Sequence, residues 1–298
     1  MTEPCLLCCE SSFVPRFSHP PFTVVQCRHC RLVAVRPIPK PHILYDFYQE
    51  AYFNSLSPKD AGYRNYVGEL ENYRLTFRRR YRVVRRFLKR SDSVLELGIA
   101  CGAFLKVLQI EGFCDLHGVD ISEFGVRQAA SLLGDGVDLR SGYLRDQRFP
   151  KRFNTVFMWD VIEHIPDPLT ELRLIHSLMS PDGYLILETQ DVGSLLARVA
   201  GRRWHMYKFP EHLYHFDRRT ISQLLALTGF RVVMVTKRAA GKYVSGEFIL
   251  ERVGRYWGLL RWVVAPFHRW LRHIYVNPYD GIIVVARRLN DGCPLPSS

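Results

Sequence analysis

The stretch Val94-Leu95-Glu96-Leu97-Gly98-Ile99-Ala100-Cys101-Gly102 reads as a short apolar strand that passes into a glycine-bearing turn, with a helix from about Ala103. Glycines at such a turn let the backbone approach a ligand closely. About twenty residues further on, a second apolar run ends in Gly118-Val119-Asp120, and a carboxylate at that spacing is placed to accept hydrogen bonds from both hydroxyls of a ribose. The turn is not G-x-G-x-x-G, and no Lys-Ser/Thr pair follows it, so a pyrophosphate or triphosphate ligand is disfavoured.

Working outward, apolar runs at Ser93–Leu97, Leu116–Val119, Thr155–Trp159 and Tyr184–Leu187 alternate with helical segments, a pattern that predicts a parallel sheet covered on both faces. Phe230–Thr236 and Gly281–Ala286 read as two further strands, with a helical insertion at about 245–277 between them. Upstream, Tyr73, Phe77, Tyr81, Val84 and Leu88 recur at helical spacing while Arg78, Arg82, Arg85 and Lys89 form a separate stripe, which predicts a long basic amphipathic helix. The expected divisions are a module at 1–40, a helical linker or cap at 41–90, the main domain at 91–290 and a tail at 291–298.

Glu-Leu-Gly-Ile-Ala-Cys-Gly at 96–102, Gly-Val-Asp-Ile-Ser at 118–122, Trp-Asp-Val-Ile-Glu-His-Ile at 159–165 and Pro-Asp-Gly at 181–183 occur in this order. Together they resemble the class I methyltransferases that use S-adenosylmethionine, over about residues 90–290. The resemblance implies an α/β, Rossmann-like sheet of seven strands, mostly parallel with the last antiparallel. It implies that Glu96 and the Gly98, Ala100 and Gly102 backbone hold the methionine part of the cofactor, Asp120 the ribose, Ile121 one face of the adenine, and that Asp160 lies near the amino end. Gly142-Tyr143-Leu144 stands where many members carry an acid for the adenine amine. Gly98 and Gly102 also suit packing in an ordinary α/β scaffold, with Asp120 as a helix cap; four ordered elements favour the cofactor.

Of eight cysteines, five crowd the start. Cys5-x2-Cys8 and Cys27-x2-Cys30 are two knuckles whose four thiolates converge on a tetrahedral zinc ion, with Cys9 a bystander or a substitute for Cys8. Four sulfur ligands leave no open position for an activated water, so the zinc is expected to be structural. The competing pattern, two disulfides in a secreted protein, lacks the signal segment it needs. Cys-Arg-His-Cys-Arg-Leu-Val-Ala-Val-Arg-Pro-Ile-Pro at 27–39, followed by Tyr52-Phe53, resembles zinc-ribbon leaders of sugar-nucleotide and natural-product methyltransferases, which implies that the leader helps to form the acceptor pocket.

Residues 204–216, Trp-His-Met-Tyr-Lys-Phe-Pro-Glu-His-Leu-Tyr-His-Phe, follow the fifth strand on the side where loops line the ligand crevice. A histidine there can take a proton from an acceptor, with a carboxylate fixing its tautomer. Glu211-His212 is the candidate pair and His215 the alternate. The sugar C-methyltransferases that the leader resembles use a Glu-His pair in this region as base, whereas His164 reads as structural or cofactor-lining.

The formal charge of +12 favours anionic partners. The leading expectation is a small-molecule acceptor, phosphorylated or otherwise: a nucleotide sugar, a glycan or lipid precursor, or a natural-product intermediate. An RNA acceptor held through the zinc ribbon, and a non-catalytic cofactor-binding protein, are the alternatives. The basic, tryptophan-containing insertion at 245–277 suits a cap over the pocket or contact with an anionic membrane. The cysteine usage and the lack of a secretory or spanning segment predict a cytoplasmic protein, soluble or peripheral at the inner membrane surface.

Overall fold

Two knuckles joined by β-rich sequence give a three-stranded antiparallel ribbon, β1 (Phe13–His19), β2 (Phe22–Cys27) and β3 (Val33–Arg36). It opens the computed structural model, which describes residues 3–39, 67–248 and 272–290, together with 43 and 250. Residues 41–66 of the linker expected at 41–90, apart from 43, the bulk of the insertion at 245–277 and the tail at 291–298 lie outside the described residues. The basic helix is α1 (Leu70–Val84), continued by a 3-10 turn at Arg85–Phe87. Its Phe77, Tyr81 and Val84 are buried while Arg78, Arg82, Arg85 and Lys89 are exposed, as the separation of stripes predicts.

The alternating segment follows as β4 (Val94–Leu97), α2 (Ala103–Ile110), β5 (Leu116–Asp120), α3 (Glu123–Leu133), β6 (Asp138–Ser141), β7 (Phe153–Trp159), α4 (Pro168–Leu178) and β8 (Met179–Gln190). After it come α5 (Leu195–Ala200), β9 (Tyr214–His215), α6 (Arg218–Ala226), β10 (Phe230–Thr236), β11 (Lys242–Val244), β12 (Ile274–Val276) and β13 (Gly281–Arg288). The main sheet has seven strands in the order β10-β13-β8-β7-β4-β5-β6. β8, β7, β4, β5 and β6 run parallel, and β13 lies antiparallel between β8 and β10. β6 is a strand the apolar pattern does not announce, because Asp138-Leu139-Arg140-Ser141 at the sheet edge carries one apolar residue in four.

Strand periodicity sorts the core into two faces. Leu95, Leu97, Val156, Met158, Leu185, Leu187 and Val284 belong to one cluster, and Val94, Phe157, Trp159, Ile186, Ile283 and Val285 to the other. α1 and α2 pack on the second face through Phe77, Tyr81, Phe104 and Leu108. The first face is continuous with Cys5, Cys27, Cys30, Leu32 and Ala34, so the ribbon's apolar side chains share the core of the larger sheet.

The joint between the two is β9. It adds to the ribbon as a fourth strand, pairing Val33 with His215 and Ala34 with Tyr214, and Val35 N donates to Leu213 O at 2.8 Å. The chain leading into β9 is thereby fixed to the ribbon. No helix among the described residues is long and apolar enough to cross a membrane.

Candidate active site

At the carboxyl ends of β4, β5 and β7 the backbone turns around a cavity of about 410 Å³, within the range usual for small-ligand sites. The turn after Leu97 forms one wall. Gly98 has φ +72° and Gly102 +80°, and a Cβ on Gly98 would stand 2.4 Å from Val161 Cγ2. Both conformation and space therefore require glycine at Gly98. Ala100, at φ 49°, holds the same left-handed region between them.

Asp120, at the end of β5, fastens that turn. Its Oδ2 accepts from Ala100 N and its Oδ1 from Ser122 N, each at 2.8 Å. A carboxylate has about four acceptor positions, so two remain for hydroxyls beyond the backbone pair. Burial pushes the Asp120 carboxyl up, against these two hydrogen bonds. Helix α3 is capped instead by Ser122, whose side chain accepts from Gly125 N at 3.3 Å.

Glu96 lies in β4, buried, and its Oε2 has no hydrogen-bond partner. Desolvation first and the Asp120 charge second push its carboxyl well up. A buried acceptor of this kind is costly unless a donor or positive charge meets it. Ile121, Tyr143 and Leu144 line the far end of the cavity beside Asp120. The Gly142-Tyr143-Leu144 segment thus faces the cavity with a ring and an aliphatic chain.

Two ion pairs close the opposite end. Asp160, at φ 54° after β7, receives Lys242 Nζ on Oδ2 at 3.0 Å. Although burial acts to raise it, the charges of Lys242 and Arg80 hold Asp160 at about 2. Arg80 comes from α1, is 2% exposed and pairs with the equally buried Glu188 of β8. Its guanidinium carbon lies 5.1 Å from the Phe77 ring centroid and 5.3 Å from that of Trp159. Burial pushes the Glu188 carboxyl up, and the charge and hydrogen bond of Arg80 hold it down.

Arg80 and Lys242 both line the cavity, and sequence reasoning missed them. Arg80 sits in the apolar stripe of its helix, three residues after Phe77 and one before Tyr81; that departure from the period was the available signal. Nothing local marks Lys242, because its partner is 82 residues away.

Among the described residues, the histidines expected on the acceptor side gather, and of these only His164 lines the cavity. His164, in the 3-10 turn Ile162–His164 after β7, lines the cavity. His212 packs edge-on against it, ring centroids 4.8 Å apart, and is buried behind it. His164 Nδ1 bonds to Glu211 O at 2.9 Å and His212 Nδ1 to Met206 O at 2.8 Å. The Glu211 backbone carbonyl thus meets His164. Burial pushes both imidazoles down, so they are neutral at pH 7. His215, fully buried in β9, bonds through Nδ1 to Gln190 Nε2 at 3.2 Å, and burial takes it to about 3. It does not line the cavity.

At the other end of the shared core the four expected sulfurs converge. Cys5 and Cys30 Sγ are 3.3 Å apart, Cys8 and Cys27 Sγ 3.5 Å, and all four lie within 4.8 Å of one another as free thiols. Zn–S bonds of about 2.3 Å require sulfur separations of roughly 3.8 Å at a tetrahedron's edges. The observed spacing brackets that value, and the donor set is the one zinc favours. Burial pushes Cys5 up to about 11 as a free thiol, and a bound cation reverses that by stabilising the thiolate.

The family profile described as Methyltransferase domain matches residues 71–235, more than half of the chain. A ubiquinone biosynthesis O-methyltransferase from Pseudomonas syringae pv. tomato is 25% identical over 133 residues, 42% of this chain and 57% of that protein. The chain therefore spans little more than half the length of the curated relatives it matches. Among solved structures, the 1,6-didemethyltoxoflavin-N1-methyltransferase of Burkholderia thailandensis, holding 1,6-didemethyltoxoflavin and S-adenosylhomocysteine, aligns with 93% of this chain and 99% of its own. Its TM-score is 0.53 at 15% identity. The magnesium protoporphyrin IX methyltransferase of Synechocystis, with S-adenosylhomocysteine bound, covers 84% of this chain and 100% of its own, at a TM-score of 0.52 and 18% identity. At these identities the likeness is one of fold.

Proposed function

The chain belongs to the methyltransferase-domain family, and from that premise we propose that it moves the methyl group of S-adenosylmethionine to a small-molecule acceptor. The observation that carries the proposal is the cavity itself: one space touched by Glu96, Gly98, Ala100, Asp120, Ile121 and Asp160, six of the seven residues assigned to the cofactor, while the seventh, Gly102, packs against Ala129 and Leu133 of α3 instead of lining it. In it, the two open acceptor positions of Asp120 take the ribose hydroxyls. Ile121 with Tyr143 and Leu144 sandwiches the adenine, and the turn backbone follows the methionine part. The Asp160 carboxylate and the unpartnered acceptor oxygen of Glu96 suit a ligand carrying a sulfonium and an ammonium group.

A sulfonium is a strong methyl donor when bound, so the protein's task is to hold an acceptor atom in line with the methyl group and keep water out. The acceptor side is assigned to the His164 face, with His212 directly behind it. The curated relatives are named for O-methylation in ubiquinone biosynthesis, and that favours an oxygen acceptor over nitrogen or carbon.

Calorimetry with zinc-loaded, full-length protein tests the cofactor assignment. Uptake of S-adenosylmethionine and S-adenosylhomocysteine at one site per chain is expected. Asp120→Ala should weaken it about 10- to 100-fold, the loss of hydrogen bonds to a charged acceptor. Folded protein that takes up neither compound would end the proposal.

A further inference from the structure

We infer that Glu163, His164 and His212 form a second cation site, separate from the cysteine cluster, that takes a first-row divalent ion such as Mn²⁺, Fe²⁺ or Zn²⁺ against the acceptor wall of the cavity. One carboxylate oxygen and one ring nitrogen from each histidine lie within 4.8 Å of one another. A divalent ion about 2.1 Å from each ligand needs them no more than about 4.2 Å apart. Small side-chain rotations, well short of a backbone change, close that gap.

Three features separate this cluster from a chance meeting of polar groups. First, Glu163 is 1% exposed, and its Oε2 has no hydrogen-bond partner; a buried carboxylate oxygen left so is costly unless a cation or donor completes it. Second, both histidines are oriented by backbone carbonyls, His164 Nδ1 on Glu211 O and His212 Nδ1 on Met206 O. A carbonyl only accepts, so each Nδ1 carries the proton and each neutral ring has its lone pair on Nε2. A second-ring-nitrogen hydrogen bond to a carbonyl is the usual support of a metal-ligating histidine. Third, the ligands come from two elements already tied together, since Leu213 N donates to Glu163 O at 2.9 Å. The site is therefore built into the joint between the turn after β7 and the chain entering β9.

Two imidazoles and one carboxylate on one side of an ion leave its other positions open, and this ligand set selects divalent transition ions over magnesium or calcium. Of the charges nearby, Asp160 favours a cation and Lys208 opposes it. His164 lines the cavity while Glu163 and His212 are buried behind it, which sets the ion beside the space assigned to the acceptor. That last step rests on the methyl-transfer proposal and restricts acceptors to those with an oxygen donor; cation binding by itself does not depend on it.

The test uses full-length protein whose cysteine cluster is loaded with zinc, titrated with Mn²⁺ while the free ion is followed by electron paramagnetic resonance. Mn²⁺ is a poor competitor for four thiolates, so one equivalent taken up reports the second site. Uptake of one Mn²⁺ per chain is expected, weakened tenfold or more in Glu163→Gln and in His212→Gln, the latter keeping a donor for Met206 O. One zinc per chain and unchanged circular dichroism in the variants certify their folding. No uptake by the wild type, or equal uptake by variants that pass both checks, overturns the site. Mn²⁺ binding by a protein that ignores S-adenosylmethionine would leave the site standing and remove the methyl-transfer proposal alone.

Discussion

Arg80 and Glu188 carry opposite charges into the middle of an apolar face, 2% exposed each. Removing one member of such a pair strands the other, whereas removing both for well-packed apolar groups is often nearly neutral. Arg80→Met should therefore lower stability by about 3–5 kcal/mol in urea unfolding at pH 7, and adding Glu188→Leu should restore most of it. Losses that simply add would show that the two do not act as a pair. Arg80 also marks how far residues can be read in isolation. Gly98 and Asp120 were legible because the turn and the strand end that need them are local, about twenty residues apart, and their roles follow from conformation and hydrogen-bonding capacity. Arg80, Lys242 and His164 acquire theirs from Glu188, Asp160 and His212, partners brought near only by the finished sheet. Glu211 shows the same limit, since the partner that the fold brings to its carbonyl is His164, 47 residues away.

Elements followed a similar rule. Six strands of the main sheet are visible as apolar runs: β13, β8, β7, β4 and β5 lie inside the sheet, where both faces are covered, and β10, though an edge, keeps five apolar residues in seven. β6 is an edge and was invisible, and β9 is two residues long, a strand only because β3 offers it hydrogen bonds. That short pairing has a consequence for metal removal. The four sulfurs fix the loops that deliver β2 and β3, β3 holds β9, and β9 holds the chain carrying Glu211 and His212. Stripping zinc with a chelator should raise amide hydrogen exchange tenfold or more at Val35, Leu213 and neighbouring amides, while β4, β5 and β7 keep their protection. Faster exchange confined to residues 5–32, with 204–216 unchanged, would mean that the ribbon is a passenger on the acceptor loop.

For the molecule as a whole, the shared core makes acid stability a property of the seam. His215 stands there, fully buried between ribbon and sheet, with Nε2 unpartnered. Burial, aided by the Arg16 charge, holds it at about 3, against about 6.5 in an unfolded chain. Below pH 6.5 the unfolded state therefore binds a proton that the folded state refuses. Stability due to this group is complete above 6.5 and falls as pH drops toward 3, by up to about 1.4 kcal/mol per unit. Between pH 6.5 and 5, His215→Gln, which keeps a side chain able to meet Gln190, removes that cost. The stability advantage of wild type over variant should accordingly shrink by about 2 kcal/mol across the interval, read from urea midpoints with zinc content checked at both pH values. The ribbon and the sheet should unfold in one transition throughout, because Cys27, Leu213 and Leu185 belong to one cluster. A pH-independent difference would show that the imidazole takes up its proton as readily in the folded chain as in the unfolded one, and that the seam admits charge. A separate early transition for the ribbon would show that the joint through β9 holds position without sharing stability.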